Sequence, residues 1–241
     1  MRANRKELKF IVGKDILLDV RNRISFLMKK DPHQQGDFYR IRSLYFDSPD
    51  YRCFRENKAG VSPREKYRIR IYNCRAEHMV AEIKQRHRDT ITKMSALIDR
   101  NLFDRLIKSS PADSVKALEE AALSRKEEAA KTVLEKYMEH VANEFYLPAC
   151  IVDYERSAYV YDICNVRITF DTNIMGSREF DRMFDHSLTG RAALDSDLHV
   201  LEIKYDEFLP DEIAGVLGGM GLSRSSCSKY ALCVERMGIS I

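Results

Sequence analysis

The sequence predicts an α+β fold in which eight antiparallel β-strands close into a barrel with a polar, basic interior, braced by helices. First, charged residues repeatedly lie two apart with an apolar residue between them, as at residues 68–70 (Arg-Ile-Arg) and 202–204 (Glu-Ile-Lys). Because two residues is the period of a β-strand, each charged pair lies on one face and the apolar neighbours lie on the other. Second, four strand-like segments precede a long helical stretch and four follow it, an order typical of a mostly antiparallel sheet with added helices.

Eight segments combine β-branched or aromatic residues with alternating charge, and we predict them as strands. They cover residues 6–12, 39–46, 65–72, 79–86, 150–160, 165–171, 199–206 and 228–235. No low-complexity linker separates them, so residues 1–241 are predicted to form a single domain.

Helices are predicted between the strands. Residues 14–29 place apolar side chains on one helical face and end at an Asp-Pro break. Residues 99–108 give a short helix, and residues 113–144 are rich in the helix formers Ala, Glu, Lys and Leu. Together they make a helical insert at about residues 99–144. Residues 210–220 begin with proline, which suits a first helical position, and end in glycines.

The charged faces of the strands are expected to converge on a wet central channel, while the apolar faces pack against helices outside it. Cations outnumber anions on the charged face, although the net charge of the chain is only +3. Like charges on neighbouring strands repel one another unless water or a counter-anion lies between them. Arginine forks spaced along strands suit a chain of phosphates. The pattern therefore predicts a channel that binds a polyanion.

Two other interpretations of this charge pattern were weighed. A single Arg-x-Arg or Glu-x-Lys pair is usually a solvated sheet face with cross-strand ion pairs, but repetition across most strands disfavours that explanation here. A sheet that binds nucleic acid would carry exposed aromatic residues among the basic ones. The interleaved positions here are mostly Ile and Leu, so no nucleic-acid partner is expected.

Composition argues against several further classes. No apolar run approaches the roughly 20 residues that span a bilayer, and the N-terminus lacks a signal peptide's apolar stretch, so a cytoplasmic protein is expected. The six cysteines form no Cys-x-x-Cys pair, and most are expected to be buried free thiols. The sequence contains no glycine-rich phosphate loop and no Gly-x-Ser-x-Gly elbow, and we identify no side-chain nucleophile.

Carboxylates on the charged face indicate a metal ion. Glu7, Glu82 and Glu202 each lie two residues before a lysine. Hard divalent cations such as Mg²⁺ or Mn²⁺ take carboxylate oxygens together with phosphate oxygens of a substrate. Phosphoryl transfer then requires mainly positioning and charge stabilisation, which arginines, lysines and the metal supply.

An ordered set of short motifs carries a family resemblance over nearly the whole chain. The motifs are residues 5–10 (RKELKF), 41–47 (IRSLYFD), 64–72 (REKYRIRIY), 81–84 (AEIK), 153–156 (DYER), 166–171 (VRITFD), 201–205 (LEIKY) and 228–232 (SKYAL). With these motifs in this order, the chain resembles the VTC domain, the polyphosphate polymerase domain of the vacuolar transporter chaperone family. This domain has the triphosphate tunnel metalloenzyme fold.

The resemblance implies a tunnel of eight strands through which a triphosphate threads. It also implies that ATP or another nucleoside triphosphate donates its γ-phosphate to a growing polyphosphate chain, with Mn²⁺ or Mg²⁺ present. The residues matched to the phosphate-holding catalytic set are Lys9, Arg68, Arg70, Lys84, Arg156, Arg167, Lys204 and Lys229.

Further site residues come from two sources. The resemblance assigns Glu202 as the principal metal ligand and Lys93 as another lysine that contacts phosphate. Strand parity adds Arg40, Arg42 and Lys66 as substrate-binding residues, and Glu7 and Glu82 as further metal-site carboxylates.

Three functions remain open at this stage. Relatives with hydrolase activity usually carry Glu-x-Glu-x-Lys on the first strand, and residues 5–9 here are Arg-Lys-Glu-Leu-Lys, which favours the polymerase branch. A metal-dependent tripolyphosphatase or nucleoside triphosphatase, in which water is the acceptor, is the second hypothesis. A non-catalytic module that binds polyphosphate is the third. Because the eukaryotic polymerase works inside a membrane complex, coupling to transport would require a membrane-protein partner.

Overall fold

The computed structural model describes residues 5–88 and 90–239. In this part of the chain ten strands form one antiparallel sheet. The strands are β1 (Arg5–Gly13), β2 (Lys29–Lys30), β3 (Tyr39–Asp47), β4 (Arg64–Tyr72), β5 (Met79–His87), β6 (Thr90–Ile98), β7 (Leu147–Tyr161), β8 (Val166–Ser177), β9 (Arg191–Ala192) and β10 (Leu198–Asp206). The helices are α1 (Lys14–Ile24), α2 (Arg52–Lys58), α3 (Arg100–Lys108), α4 (Pro111–Leu123), α5 (Glu128–Glu144), α6 (Asp211–Leu217) and α7 (Lys229–Arg236).

The sheet curls into a half-barrel and does not close. Its order is β1-β10-β8-β7-β3-β4-β5-β6, with β2 added to β7 and β9 added to β8. β1 and β6 end this order and are not paired with each other, so the predicted closed barrel is wrong. Near its middle, the free edge of β1 is taken by a later segment: Ser225 donates its backbone N–H to the carbonyl of Lys9 at 2.8 Å, and Arg224 bridges Phe10. β6 therefore cannot pair with β1 at that point.

Seven of the eight predicted strands are confirmed, and the eighth, residues 228–235, is wrong because it forms helix α7. The Ser228 side chain accepts a hydrogen bond from the backbone N–H of Ala231 and so caps a helix. Tyr230, Ala231, Cys233 and Val234 are all buried, at a spacing that fits one helical face better than alternation.

The eighth long strand is β6, which the sequence did not predict. It pairs with β5 along its whole length, from Thr90 opposite His87 to Ile98 opposite Met79. Only Ala96 and Ile98 of β6 are buried. The sequence of the strand shows only a weak alternation of apolar residues, which is why it was not predicted.

The predicted helices are confirmed in position and corrected in length. α1 ends at Ile24, and the predicted helix over 113–144 is two helices, α4 and α5. Side chains cap the starts of α3 and α4: Asp99 accepts from the N–H of Leu102, and Ser110 accepts from that of Asp113. α2, which follows β3, was not predicted.

Two apolar cores lie on the convex side of the sheet, as expected for strands whose apolar faces point outward. α3, α4 and α5 cover the part of the sheet around β4 and β5, where Ile69 and Ile83 are fully buried. α1 and α6 cover β1, β10 and β8, where Ile168 and Leu201 are fully buried. The concave side is left for the charged faces of the same strands.

Helix α7 lies at one end of the concave side. The Tyr230 ring stacks on Tyr45 of β3 with centroids 4.8 Å apart, and the Tyr230 hydroxyl donates to Asp47 at 2.6 Å. A Cβ atom at Gly176 of β8 would lie 2.8 Å from Cβ of Cys233, so glycine permits this close packing. α7 thus covers one end of the half-barrel and presents its first residue, Lys229, to the interior.

Two smaller expectations concern cysteines and membranes. Five of the six cysteines are buried, and Cys164 is half-buried. Within residues 5–88 and 90–239, no helix is long and apolar enough to cross a membrane.

Candidate functional site

The concave face collects charged side chains from most strands of the sheet. β1 and β10 form one wall, on which Lys9 lies opposite Glu202 and Glu7 opposite Lys204. The Lys9 ammonium lies 2.8 Å from Oε1 of Glu7 and 3.5 Å from Oε2 of Glu202, and Lys204 contacts the other oxygen of Glu202. Two carboxylates therefore share one half-buried lysine.

The lysines keep these two carboxylates ionised. Burial opposes charge on Glu202, but Lys204 and Lys9 hold its pKa well below the usual value. Burial likewise opposes charge on Glu7, and Lys9 with Lys84 lowers its pKa to about 2. In return, the pKa of Lys9 is raised, because Glu202 and Glu7 outweigh its desolvation.

A second group of charges lies where β7, β8 and α7 meet. Arg156 donates two hydrogen bonds to Asp171, at 2.6 and 2.8 Å, and the Lys229 ammonium lies 2.5 Å from the same carboxylate. The Lys229 ammonium also lies 4.9 Å from the centre of the Tyr154 ring. Burial opposes charge on Asp171, but Arg156 and Lys229 lower its pKa. Asp171 is buried between two cations and was not predicted as a site residue.

The third group lies on β4, β5 and β6, around Glu82. Its carboxylate lies 2.7 Å from Arg68, 3.0 Å from Lys93 and 3.8 Å from Arg70. Despite burial, Arg68, Arg70 and Lys93 lower the pKa of Glu82 to about 2. The arginines are also held from β3, since Arg68 donates to the Tyr45 hydroxyl and Arg70 to the Ser43 hydroxyl.

Lys84 connects the walls. Its ammonium reaches from β5 to Glu7 on β1, 3.2 Å from Oε2. Burial and the nearby charge of Lys9 lower the pKa of Lys84 to about 7, although Glu7 acts in the opposite direction. The interior of the half-barrel is thus a continuous set of alternating cations and anions, in which burial makes each charge depend on its neighbours.

This combination of a curled antiparallel sheet and a basic concave face agrees with the family comparison. The family model of the VTC domain matches residues 4–237. The chain belongs to the VTC domain family.

Other comparisons with this VTC domain are less specific. No curated protein matches it. Among solved structures, a protein from Pyrococcus horikoshii OT3 is similar at 14% identity with a TM-score of 0.47, covering 95% of this chain and 98% of the other. A conserved hypothetical protein from Pyrococcus furiosus is similar at 12% identity with a TM-score of 0.46, covering 93% and 96%.

Ten of the predicted cations of this VTC domain lie on the concave face. They are Lys9, Lys66, Arg68, Arg70, Lys84, Lys93, Arg156, Arg167, Lys204 and Lys229. Arg167 lies toward one end, where it contacts Asp31 at 2.8 Å and donates to the Tyr39 hydroxyl at 3.1 Å.

Arg40 and Arg42 lie on the opposite face, and their predicted place in the channel is wrong. Ser43 and Tyr45 are the residues of β3 that bond the channel arginines, so Arg40 and Arg42, of the other parity, point outward. Arg42 is fully buried and donates to Asp153 at 2.7 Å and to two carbonyl oxygens, of Met183 and Asp185, at 2.8 Å. It ties the loop after β8 to the sheet.

The three predicted metal ligands are not brought together. Glu7 and Glu202 share Lys9, whereas Glu82 is held by Arg68 and Lys93. Among the described residues, no group of three or more His, Cys, Asp or Glu is placed to hold a metal ion. The pair Glu7 and Glu202 still fits the donor set of a hard cation, which commonly takes one or two carboxylates plus phosphate oxygens.

A cavity of about 690 Å³ opens from the charged interior toward the β1 edge. Sequence reasoning missed several residues that line it, including Arg64, Arg224 and Ser225. Arg64 has the same strand parity as Lys66, so its place could have been found from the alternation. Arg224 and Ser225 lie in a glycine- and serine-rich stretch without periodicity, where the sequence gives no signal.

Proposed function

We propose that this VTC domain is a polyphosphate polymerase, which transfers the γ-phosphate of ATP to a growing polyphosphate chain with Mn²⁺ or Mg²⁺. One observation carries the proposal: arginines and lysines from strands on both walls and from α7 meet on one concave, largely buried surface. The VTC domain family, associated with polyphosphate metabolism, gives the matching substrate class.

Phosphate oxygens would share the arginines with the carboxylates that position them in the free protein. Arg68 and Arg156 each present two nitrogens to one carboxylate group, Glu82 and Asp171 respectively. The same fork geometry fits two oxygens of a phosphate. Because these arginines are already held by Tyr45 and by the sheet, little side-chain entropy is lost when the ligand binds.

Glu7 and Glu202 are the residues that would hold the divalent cation. When bound, the cation would neutralise charge on the phosphates, as in other phosphoryl transfers. Lys9, between the two carboxylates, would then be free to turn toward a phosphate oxygen. Glu82 would act by positioning Arg68 and Lys93, its contacts on β4 and β6.

In such a site the chain's own residues bind, orient and neutralise. An oxygen of the acceptor chain's terminal phosphate attacks the γ-phosphorus of ATP, the bond to the β,γ-bridging oxygen breaks and ADP leaves, so a side-chain nucleophile is not required. Lysines and arginines hold donor and acceptor in line and stabilise the charge that develops on the transferred group.

The first strand favours a polymerase over a hydrolase. Relatives with hydrolase activity usually carry Glu-x-Glu-x-Lys on this strand, whereas residues 5–9 here are Arg-Lys-Glu-Leu-Lys. Glu7 and Glu82 are each bonded by cations, which lower their pKa values to about 2.

The test is incubation of the purified protein with ATP, Mn²⁺ and a short polyphosphate primer, with the products resolved on a gel. Glu202→Gln removes a proposed metal ligand, and Glu119→Gln on the exposed face of α4 is the matched control. A ladder of lengthening chains in wild type and Glu119→Gln, absent in Glu202→Gln, would support the polymerase. Free phosphate without a ladder would indicate the hydrolase, and no product with intact binding would indicate a binding module.

A further inference from the structure

Like charges lie directly opposite one another at the mouth of the cavity. In the register of β4 and β5, Arg64 lies opposite Arg86, and Lys66 lies opposite Lys84. All four line the cavity of about 690 Å³. Side chains directly opposite in an antiparallel pair are close, and like charges in such positions are destabilising. Of these four cations, only Lys84 contacts a carboxylate in the described part of the chain, that of Glu7. The other three indicate a position where a counter-anion belongs.

These mouth residues differ from the cations deeper in the half-barrel. Arg68, Arg156 and Lys229 each contact a carboxylate within the site, and so does Lys9, which lies at the border of the cavity. Of the mouth residues within 5–88 and 90–239, Arg64, Lys66 and Arg224 have no carboxylate within 4.0 Å. Arg64 donates to the carbonyl of Val61, and Lys66 donates to the Ser228 hydroxyl, so both use neutral acceptors.

The electrostatics of two mouth residues favour binding of an anion. Burial, together with Lys9 and Lys84, holds the pKa of Lys66 well below its usual value. Burial and the facing Arg86 lower the pKa of Arg64. Each of these charged side chains would be stabilised by a phosphate at the mouth.

The segment 224–228 completes the mouth. Ser225 bonds the backbone of Lys9, and Ser228 accepts from Lys66, so the segment is anchored to both walls. It contributes the Arg224 side chain and three serine residues to the same cavity. Hydroxyls and a guanidinium are suitable donors for phosphate oxygens.

We propose that the mouth, defined by Arg64, Lys66, Arg86 and Arg224, is a second anion subsite that continues the inner charged cluster. It holds the phosphates of a chain that extend beyond those bound inside. This inference rests on the proposed function and adds a substrate preference: chains longer than a triphosphate bind more tightly because they fill both subsites. The mouth does not hold the first three phosphates.

The test compares two ligands on one pair of variants. Arg64→Gln with Arg224→Gln removes two mouth charges, and Arg75→Gln with Arg178→Gln, both exposed outside the cavity, removes the same charge elsewhere. Dissociation constants for tripolyphosphate and for a chain of about 15 phosphates are measured at one fixed salt concentration. The mouth variant should lose at least about tenfold in affinity for the long chain and change by less than about twofold for tripolyphosphate. The control variant should lose only a little affinity, and the loss should be equal for the two ligands.

The outcomes separate the two proposals. If wild type binds neither ligand, the proposed function and the mouth subsite are both overturned. If wild type binds both ligands and the mouth variant keeps its full affinity for the long chain, only the mouth subsite is overturned. The same conclusion follows if the mouth variant loses affinity equally for both ligands. Lys66→Met provides a second variant, for which we expect the same loss of affinity for the long chain. The melting temperature of each free variant verifies folding.

Discussion

The Lys229 ammonium lies 2.5 Å from Oδ2 of Asp171, so the first residue of α7 is tied to the middle of the sheet by a buried ion pair. Arg156 bonds the same carboxylate from β7. One fully buried carboxylate therefore holds two strands and the helix that covers the end of the half-barrel. It also holds at fixed positions the two cations that we propose to bind phosphate.

Asp171→Asn should strongly destabilise the protein. The change leaves Arg156 and Lys229 buried without a counter-charge, and breaking a buried ion pair from one side costs about 3–5 kcal/mol. Urea unfolding followed by circular dichroism measures the loss. Asp195→Asn, which removes an exposed partner of Arg236, is the matched control and should cost about 0–1 kcal/mol. Equal effects of the two changes would contradict the central role given to Asp171.

Arg68→Gln should weaken tripolyphosphate binding. Hydrogen bonds to charged groups contribute about 1.5–3 kcal/mol each, so the affinity should fall roughly 10- to 150-fold. The measurement is the ligand-induced rise in melting temperature, which for wild type corresponds to about 2.7 kcal/mol at 100 times the dissociation constant. Arg75→Gln is the exposed arginine control. An undiminished shift in Arg68→Gln would exclude the concave face as the binding surface.

Polyphosphate binding should take up protons at alkaline pH through Lys66. Burial, together with Lys9 and Lys84, holds its pKa well below 10.5. Between that depressed pKa and 10.5, Lys66 is neutral in the free folded protein and charged in the unfolded chain. The free energy of unfolding should therefore rise with pH in this window, while a bound anion restores the charge and takes up a proton.

Calorimetric titration in two buffers of different ionisation heat, repeated at several pH values below 10.5, measures this uptake. Lys66→Met should reduce the number of protons taken up, and Lys126→Met, an exposed control, should not. Identical uptake in all three proteins would show that Lys66 is not the group that titrates.

Much of the site could be predicted from the sequence because strand alternation places side chains reliably when the apolar positions are strong. On β4 the buried Ile69 and Ile71 leave only one face for Arg68 and Arg70. The same holds for Glu202 and Lys204, which flank the buried Ile203 of β10.

The alternation is ambiguous on β3, where both faces are buried. Polar residues occur on both of its faces, Ser43 and Tyr45 on one and Arg42 on the other, so sequence alone did not show that Arg42 points outward to Asp153. The sequence also did not show that the barrel stays open, because this depends on a distant segment that bonds the edge of β1 at Lys9. Both features are set by tertiary contacts, which produce no periodic pattern in the local sequence.

Removing the charge of Glu202 and removing that of Glu82 should change the Mn²⁺ dependence of turnover in different ways. Glu202 shares Lys9 with Glu7, while Glu82 is bonded by Arg68 and Lys93. If Glu7 and Glu202 hold the cation, Glu202→Gln should lower Mn²⁺-dependent turnover about 100-fold or more and raise the Mn²⁺ concentration needed for half-maximal activity. Glu82→Gln should lower turnover by releasing Arg68, and its Mn²⁺ requirement should stay that of wild type. Activity measured against Mn²⁺ concentration separates the two effects, and a raised requirement in Glu82→Gln alone would move the metal to the wall formed by β4, β5 and β6.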